Sequence, residues 1–427
     1  MTYLIAAYLF FALLSYRKAV LALAPLALAL YMFPVIHGQM FSMVDFCCLG
    51  LTALLPFKTN VVSSFKEYPF KIPCFLVFFS YCITNVLAEA HWPSTIIVFN
   101  TIYIYPLVVW TQLKSEDDIR FLIKGFMVLF GVAAMYALIE LALDDNFVLD
   151  SFLSQGIVNQ NVINYDEHRF GIKRLQSFFC TPMSMGLSMG AFAYVMYELD
   201  KMNKEKSLYY SILMIGCFVL PWLTGARSVF VAEFLILIPV LKRLMSSGRF
   251  LLLKMALVGS AVFALGGWVT LLVDSFVHSD TAVTGSSFDM RLIQFAVILP
   301  FFLNSPIWGN GYAYTWSFVK AVDQDILGAE SIWLQVLVDN GLIGALAYIA
   351  CISSMVIQLR KCKKDYIVIP LSVIAAYTMS TFLGLDLNYF FILSMMLIKY
   401  HEFNQEKTEK ETPAVESESK SDADPMP

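Results

Sequence analysis

The chain is 427 residues long, 59% hydrophobic and only 15% charged. A soluble domain carries about 25% charged residues, and a soluble chain of this length divides into roughly two or three such domains, so the composition excludes a soluble protein. The mean hydropathy of +0.68 agrees, and the net charge of −4 is concentrated at one end: residues 401–427 carry eight acids and three lysines, whereas the rest holds 26 basic and 25 acidic residues. That end is polar and poor in aromatics, which predicts a disordered acidic tail after a transmembrane domain over 1–400.

In chain order, apolar runs long enough to span a bilayer are predicted at Ala19–Ile36, Phe41–Phe57, Ile72–Ala88, Ser94–Leu113, Phe121–Leu143, Ser177–Leu199, Ser207–Leu223, Ser228–Leu241, Phe250–Val273, Ile332–Leu359, Tyr366–Leu383 and Tyr389–Tyr400, with Thr2–Tyr16 as a further span. The fold class is therefore all-α, a polytopic membrane protein of twelve or thirteen helices. The runs are continuous instead of alternating, which argues against a β-barrel. The N-terminal run lacks the basic start and small-residue site of a cleavable signal peptide. The eight cysteines lie mostly inside apolar runs and read as packing residues.

Lysine and arginine set the orientation. One set of alternate loops, from Arg17 and Lys18 to Lys363 and Lys364, holds nineteen of them. The other set holds six: Arg169, Lys173, Arg174, Arg227, Arg291 and Lys320. The first set is expected in the cytoplasm, with the tail. Two of the outward connections are long, 144–176 and 274–330, and long loops tend to carry function. Within the second, Phe288, Leu292, Phe295, Leu299 and Phe302 recur at helical spacing and predict a helix lying along the outer interface.

The outward arginines are the most informative residues. Arg174, Arg227 and Arg291 each stand where an outward segment meets a helix, and a guanidinium binds phosphate oxygens through two parallel hydrogen bonds. Arg174 and Arg227 also precede helix N-termini, which favour anions. The alternative is that they snorkel and merely anchor helix ends. Glu330 opens the span that carries Gln335, Asp339 and Asn340. It reads either as a proton acceptor at a helix N-terminus or as a capping acid above a small-residue stripe at Gly341 and Gly344. Of the acids within or beside spans, Asp45, Glu140, Glu233 and Asp386 are functional candidates by default, although Asp386 and Asn388 read as a tight outward turn. His168 reads as a surface residue. No histidine pair or carboxylate cluster has metal-ligand spacing, and nothing points to nucleic acid.

Taken in order, the segments Arg174-Leu-Gln-Ser-Phe-Phe-Cys-Thr-Pro, Leu223-Thr-Gly-Ala-Arg-Ser, Arg291 ahead of Pro306-Ile-Trp-Gly-Asn-Gly-Tyr, and Glu330-Ser-Ile-Trp-Leu ending in Asp339-Asn-Gly-Leu-Ile-Gly resemble the O-antigen polymerase and O-antigen ligase superfamily of bacterial envelope enzymes. The resemblance covers Arg169 to Gly344 by motif. It implies a glycosyltransferase of the bacterial inner membrane, with its active site facing the periplasm and no metal or cofactor. The donor would be an oligosaccharide on undecaprenyl pyrophosphate, held by Arg174, Arg227, Arg291 and Arg169, with Glu330 and Arg291 in catalysis. Glu330-Ser331 replaces the His-Asn or His-Ser of the ligases, which favours a polymerase acting on a second lipid-linked repeat unit. A ligase transferring glycan to a lipid core is the alternative. The further alternatives are a flippase or another transporter, which would place charges at the bilayer midplane, and a structural scaffold. A separate flippase and a chain-length regulator are the partners such a polymerase would have, besides the lipid bilayer.

Overall fold

The computed structural model describes residues 2–30, 42–88, 92–155, 168–169, 172–179, 181–200, 208–246, 288–312, 314–315, 331–378 and 384–418. Their architecture is helical: α1 (Thr2–Leu14), α2 (Tyr16–Leu30), α3 (Met43–Lys58), α4 (Val61–Glu67), α5 (Lys71–Leu87), α6 (Trp92–Phe99), α7 (Tyr105–Gln112), α8 (Glu116–Leu143), α9 (Phe147–Ser154), α10 (Pro182–Leu199), α11 (Leu208–Val219), α12 (Arg227–Ser246), α13 (Phe288–Asn304), α14 (Ile332–Cys362), α15 (Val368–Thr378) and α16 (Gly384–Glu418). A two-residue hairpin pairs β1 (His168–Arg169) with β2 (Ile172–Lys173). The chain is an all-α polytopic membrane protein. Among the described residues, three stretches are long and apolar enough to cross a bilayer alone: Thr95–Gln112, Glu116–Leu143 and Ile332–Cys362. Helices α3 and α4 form a fourth, bent by 109°. Every other predicted span has a helix at its core, except Phe250–Val273, which lies outside the described residues.

α10 is the central helix. All its residues but Tyr197 are buried, and its glycines admit α12 at close range: a Cβ on Gly186 would lie 2.6 Å from Val229 Cγ1. Small residues of this kind let membrane helices approach closely. Tyrosine hydroxyls from neighbouring helices close onto backbone carbonyls, as in Tyr389 to Ser188 O (2.9 Å) and Tyr105 to Val20 O (2.8 Å).

The helix ends sort by charge. At one end Arg243 pairs with Glu198 and Asp365, each at 2.5 Å, and Lys363 pairs with Glu198 at 2.5 Å. The starts of α2 and α8 meet there through Arg17 and Asp118, and α16 joins them through Lys407 and Glu116. The opposite end carries the 174–179 turn, the turn before α12 and the 305–315 segment.

α16 runs on to Glu418, and Lys399–Glu402 and Lys407–Glu116 tie it as it leaves the apolar part. One expectation is corrected. Asn388 sits within α16, not in a tight turn, and donates to Thr101 O at 2.7 Å. That carbonyl belongs to the π-helical turn Asn100–Ile104 joining α6 to α7. Such a turn shifts the helical ladder by one residue and leaves a carbonyl for another partner.

α14 is broken. Gly341 has φ 64°, ψ −164° inside it, and residues 306–311 pack into the break. Leu342 N donates to Pro306 O (2.9 Å), Ile343 N to Ile307 O (3.3 Å), Asn310 N to Val338 O (2.9 Å) and Gly311 N to Asp339 O (3.0 Å). Hydrogen bonds lost from the helix are thus remade between segments, which non-helical backbone in a membrane protein requires. A Cβ on Gly341 would fall 2.4 Å from Ile307 O, and one on Gly309 (φ 80°) 2.3 Å from Asp339 O. Positive φ and backbone contact together exclude side chains at both positions. We expect Gly341→Ala to lower the midpoint of thermal unfolding in detergent and the yield of folded protein. Equal midpoints for wild type and Gly341→Ala would contradict this packing.

Candidate functional site

The candidate site lies at the end of the bundle where α8 ends and α10 and α12 begin. The span predicted from Ser177 begins as a helix only at Pro182, with Thr181 as N-cap accepting from Ser184 N at 3.1 Å. Proline suits the first helical position, since the N–H it lacks would have no helical partner there. Residues 174–179 before it form a tight turn in which Ser177 has φ 54°. Opposite lies a 3-10 turn, Leu220–Thr224, that ends at Gly225 just before α12.

These two turns bring Arg174 against the turn that precedes Arg227. Leu175 N donates to Leu223 O at 3.2 Å, and Arg174 Nε donates to Thr224 O at 3.1 Å, three residues before Arg227. Both guanidinium residues are buried, Arg174 at 5% and Arg227 at 6% exposure. A snorkelling arginine keeps its head in water, and burial within protein is the opposite placement. Arg227 begins α12, whose first-turn amides add positive potential.

The remaining candidates are distributed differently. Arg291 stands in the first turn of α13 and Arg169 in β1. Glu330 lies outside the described residues; the next residue, Ser331, is the N-cap of α14. α13 packs on the first part of α14, with Ile298 and Val338 buried against each other. Of the residues at the predicted spacing, Leu292, Phe295 and Leu299 are exposed, from 36% to 54%, whereas Phe302 packs with Ile298 and Val338.

Other ionisable residues stand elsewhere. Asp45 caps α3 with Ser42 and accepts from Thr101 Oγ1 at 2.6 Å. His168 is exposed and meets Asp144 at 2.9 Å. Glu233 packs in the notch of Gly190, deeper along α12 than Arg227. Asp339 accepts from Thr315 N (2.8 Å) and Thr315 Oγ1 (2.7 Å), so it braces the 305–315 segment. Sequence reasoning treated Gly341 as packing; the Asn340-Gly341 and Asn310-Gly311 dipeptides are the turn signals that mark the break.

A comparison with curated proteins finds no match. A scan against family models matches residues 211–349 to the O-antigen ligase family. That stretch contains α11, α12, α13 and the broken start of α14, and with them Arg227, Arg291, Glu330 and the 306–311 segment. Over that stretch the chain is similar to the O-antigen ligase family.

Proposed function

We propose that the protein is the polymerase of a lipid-linked surface polysaccharide. It transfers a growing glycan from undecaprenyl pyrophosphate to a sugar hydroxyl of a second lipid-linked repeat unit, on the outer face of the inner membrane. The observation that supports this reading is that two arginines, Arg174 and Arg227, are both buried, with Arg174 bonded to the turn just before Arg227. Departure of the pyrophosphate places negative charge at the reacting centre. Fixed cations in a water-poor site stabilise such charge without reorganising. Glu330 takes the proton of the attacking hydroxyl as the glycosidic bond forms, and Arg291 and Arg169 complete the phosphate-binding set. The proton goes to the carboxylate, and the donor's C1–oxygen bond breaks to release undecaprenyl pyrophosphate.

The ligase reading is kept because the matching family model is that of O-antigen ligases; the Glu330-Ser331 pair weighs against it. The transporter reading is weakened by the position of the helix break. The part of α14 after it, Leu342–Cys362, is about 31 Å long at 1.5 Å per residue. This is enough to cross the hydrocarbon core of about 30 Å alone, so the break falls toward the outer boundary instead of at the midplane where transporters interrupt their helices. Deleting the gene tests the proposal. The expected result is surface glycan reduced to single repeat units on the final carrier. Long chains stranded on undecaprenyl pyrophosphate would establish the ligase instead.

A further inference from the structure

Glu140 has no part in the reaction above, yet it is fully buried, about one turn before α8 ends. Its Oε2 accepts two successive backbone N–H groups, from Gln176 at 3.2 Å and Ser177 at 2.7 Å. Its Oε1 accepts from Asn146 Nδ2 at 2.9 Å, and the same amide donates to Ser177 O at 2.8 Å. Asn146 is itself held, its Oδ1 accepting from Tyr136 Oη (2.9 Å) and Leu149 N (3.2 Å). The Ser177 hydroxyl donates to Ala133 O at 3.1 Å. An acid at this depth is costly in a membrane protein, and an apolar residue would fill the space. What only a carboxylate does here is accept two adjacent N–H groups that the left-handed Ser177 turns to one side, as anion-binding backbone nests do.

We infer that Glu140 is a positioning residue that holds the 174–179 turn, and so sets Arg174 against Thr224 beside Arg227. The inference rests on the pyrophosphate reading given above. The turn is clamped from both sides, by Glu140 of α8 at residues 176 and 177 and by the 220–224 turn at residues 174 and 175. Removing the carboxylate leaves two buried N–H groups without an acceptor, and the turn relaxes toward solvent, carrying Arg174 away from its neighbour.

Two readouts on the purified full-length chain test this: binding of undecaprenyl pyrophosphate, and trypsin cleavage after Lys173 or Arg174, which are 1% and 5% exposed. Glu140→Ala is expected to weaken binding about ten- to a hundredfold, the scale of losing hydrogen bonds to a charged group, and to open a new tryptic cut at 173–175. Glu140→Gln keeps the shape and one acceptor oxygen, and is expected to show the same two effects in smaller degree. Adding Glu140→Ala to Arg174→Lys is expected to cost less than the product of the two single losses, because both act through one guanidinium. Wild-type binding and trypsin resistance in both Glu140 variants, or strictly multiplicative losses in the double variant, would overturn the inference. The failures are separable: wild-type binding by Arg174→Ala overturns the pyrophosphate reading and this inference with it. Weak binding by Arg174→Ala with wild-type Glu140 variants overturns the inference alone.

Discussion

Arg174→Ala and Arg227→Ala are each expected to reduce chain formation by at least about 10²-fold while the protein still reaches the membrane. The magnitude is that of removing one fixed charge-stabilising donor, about 10² to 10³ in rate. Two features of the site make the loss large. Both residues are buried, so no water takes over the charge, and both sit in turns tied to one another through Leu175–Leu223 and Arg174–Thr224 hydrogen bonds, so the pair presents a fixed geometry. Arg→Lys is expected to rescue poorly at either position, because an ammonium lacks the planar fork that meets two phosphate oxygens. The assay is the glycan ladder of a deletion strain complemented with each variant, with protein in membranes measured in parallel. Normal ladders from both alanine variants would return these arginines to the role of helix anchors.

Glu330→Gln is expected to abolish polymerisation while donor binding persists. Glutamine is nearly isosteric with glutamate but cannot take up a proton at neutral pH, and the loss of one general base costs about 10² to 10⁴ in rate. The expectation rests on the sequence: Ser331 is the N-cap residue of α14, Glu330 is the residue before it in the chain, and a carboxylate beside a helix N-terminus is favoured in its ionised form. The measurement pairs chain length in the complemented strain with binding of undecaprenyl pyrophosphate by the purified variant. Wild-type chain lengths from Glu330→Gln would reduce this residue to a helix cap.

Several features of the site were readable from single residues. Arg174 and Arg227 stand out because positive charge is rare outside the basic loops, and their motifs place them at helix starts; Arg227 does begin α12, whereas Arg174 lies in the turn ahead of Pro182, where α10 starts. The helical periodicity at 288–302 marked α13. Glu140 was visible as an acid inside a span, but not its task, because its partners are backbone groups of Gln176 and Ser177 and the Asn146 amide. Hydropathy around Ser177 did not announce that the helix starts only at Pro182; the signal was the Thr181-Pro182 pair, an N-cap followed by proline at the first helical position. Hydropathy measures burial, and the turn before α10 is as buried as the helix.

By itself the sequence determined the class of the protein, the helix positions and the sorting of charge between the two ends of the bundle. These depend on properties each segment carries alone: the transfer cost of its side chains and the count of its lysines and arginines. Only the tertiary structure decided which irregular segments come together. The approach of Arg174 to the turn before Arg227 spans fifty residues of chain, and the break at Gly341 exists because residues 306–311 supply the hydrogen bonds that the helix gives up. Such arrangements are stable only when a distant segment satisfies the exposed backbone, a condition that no local pattern of residue types records.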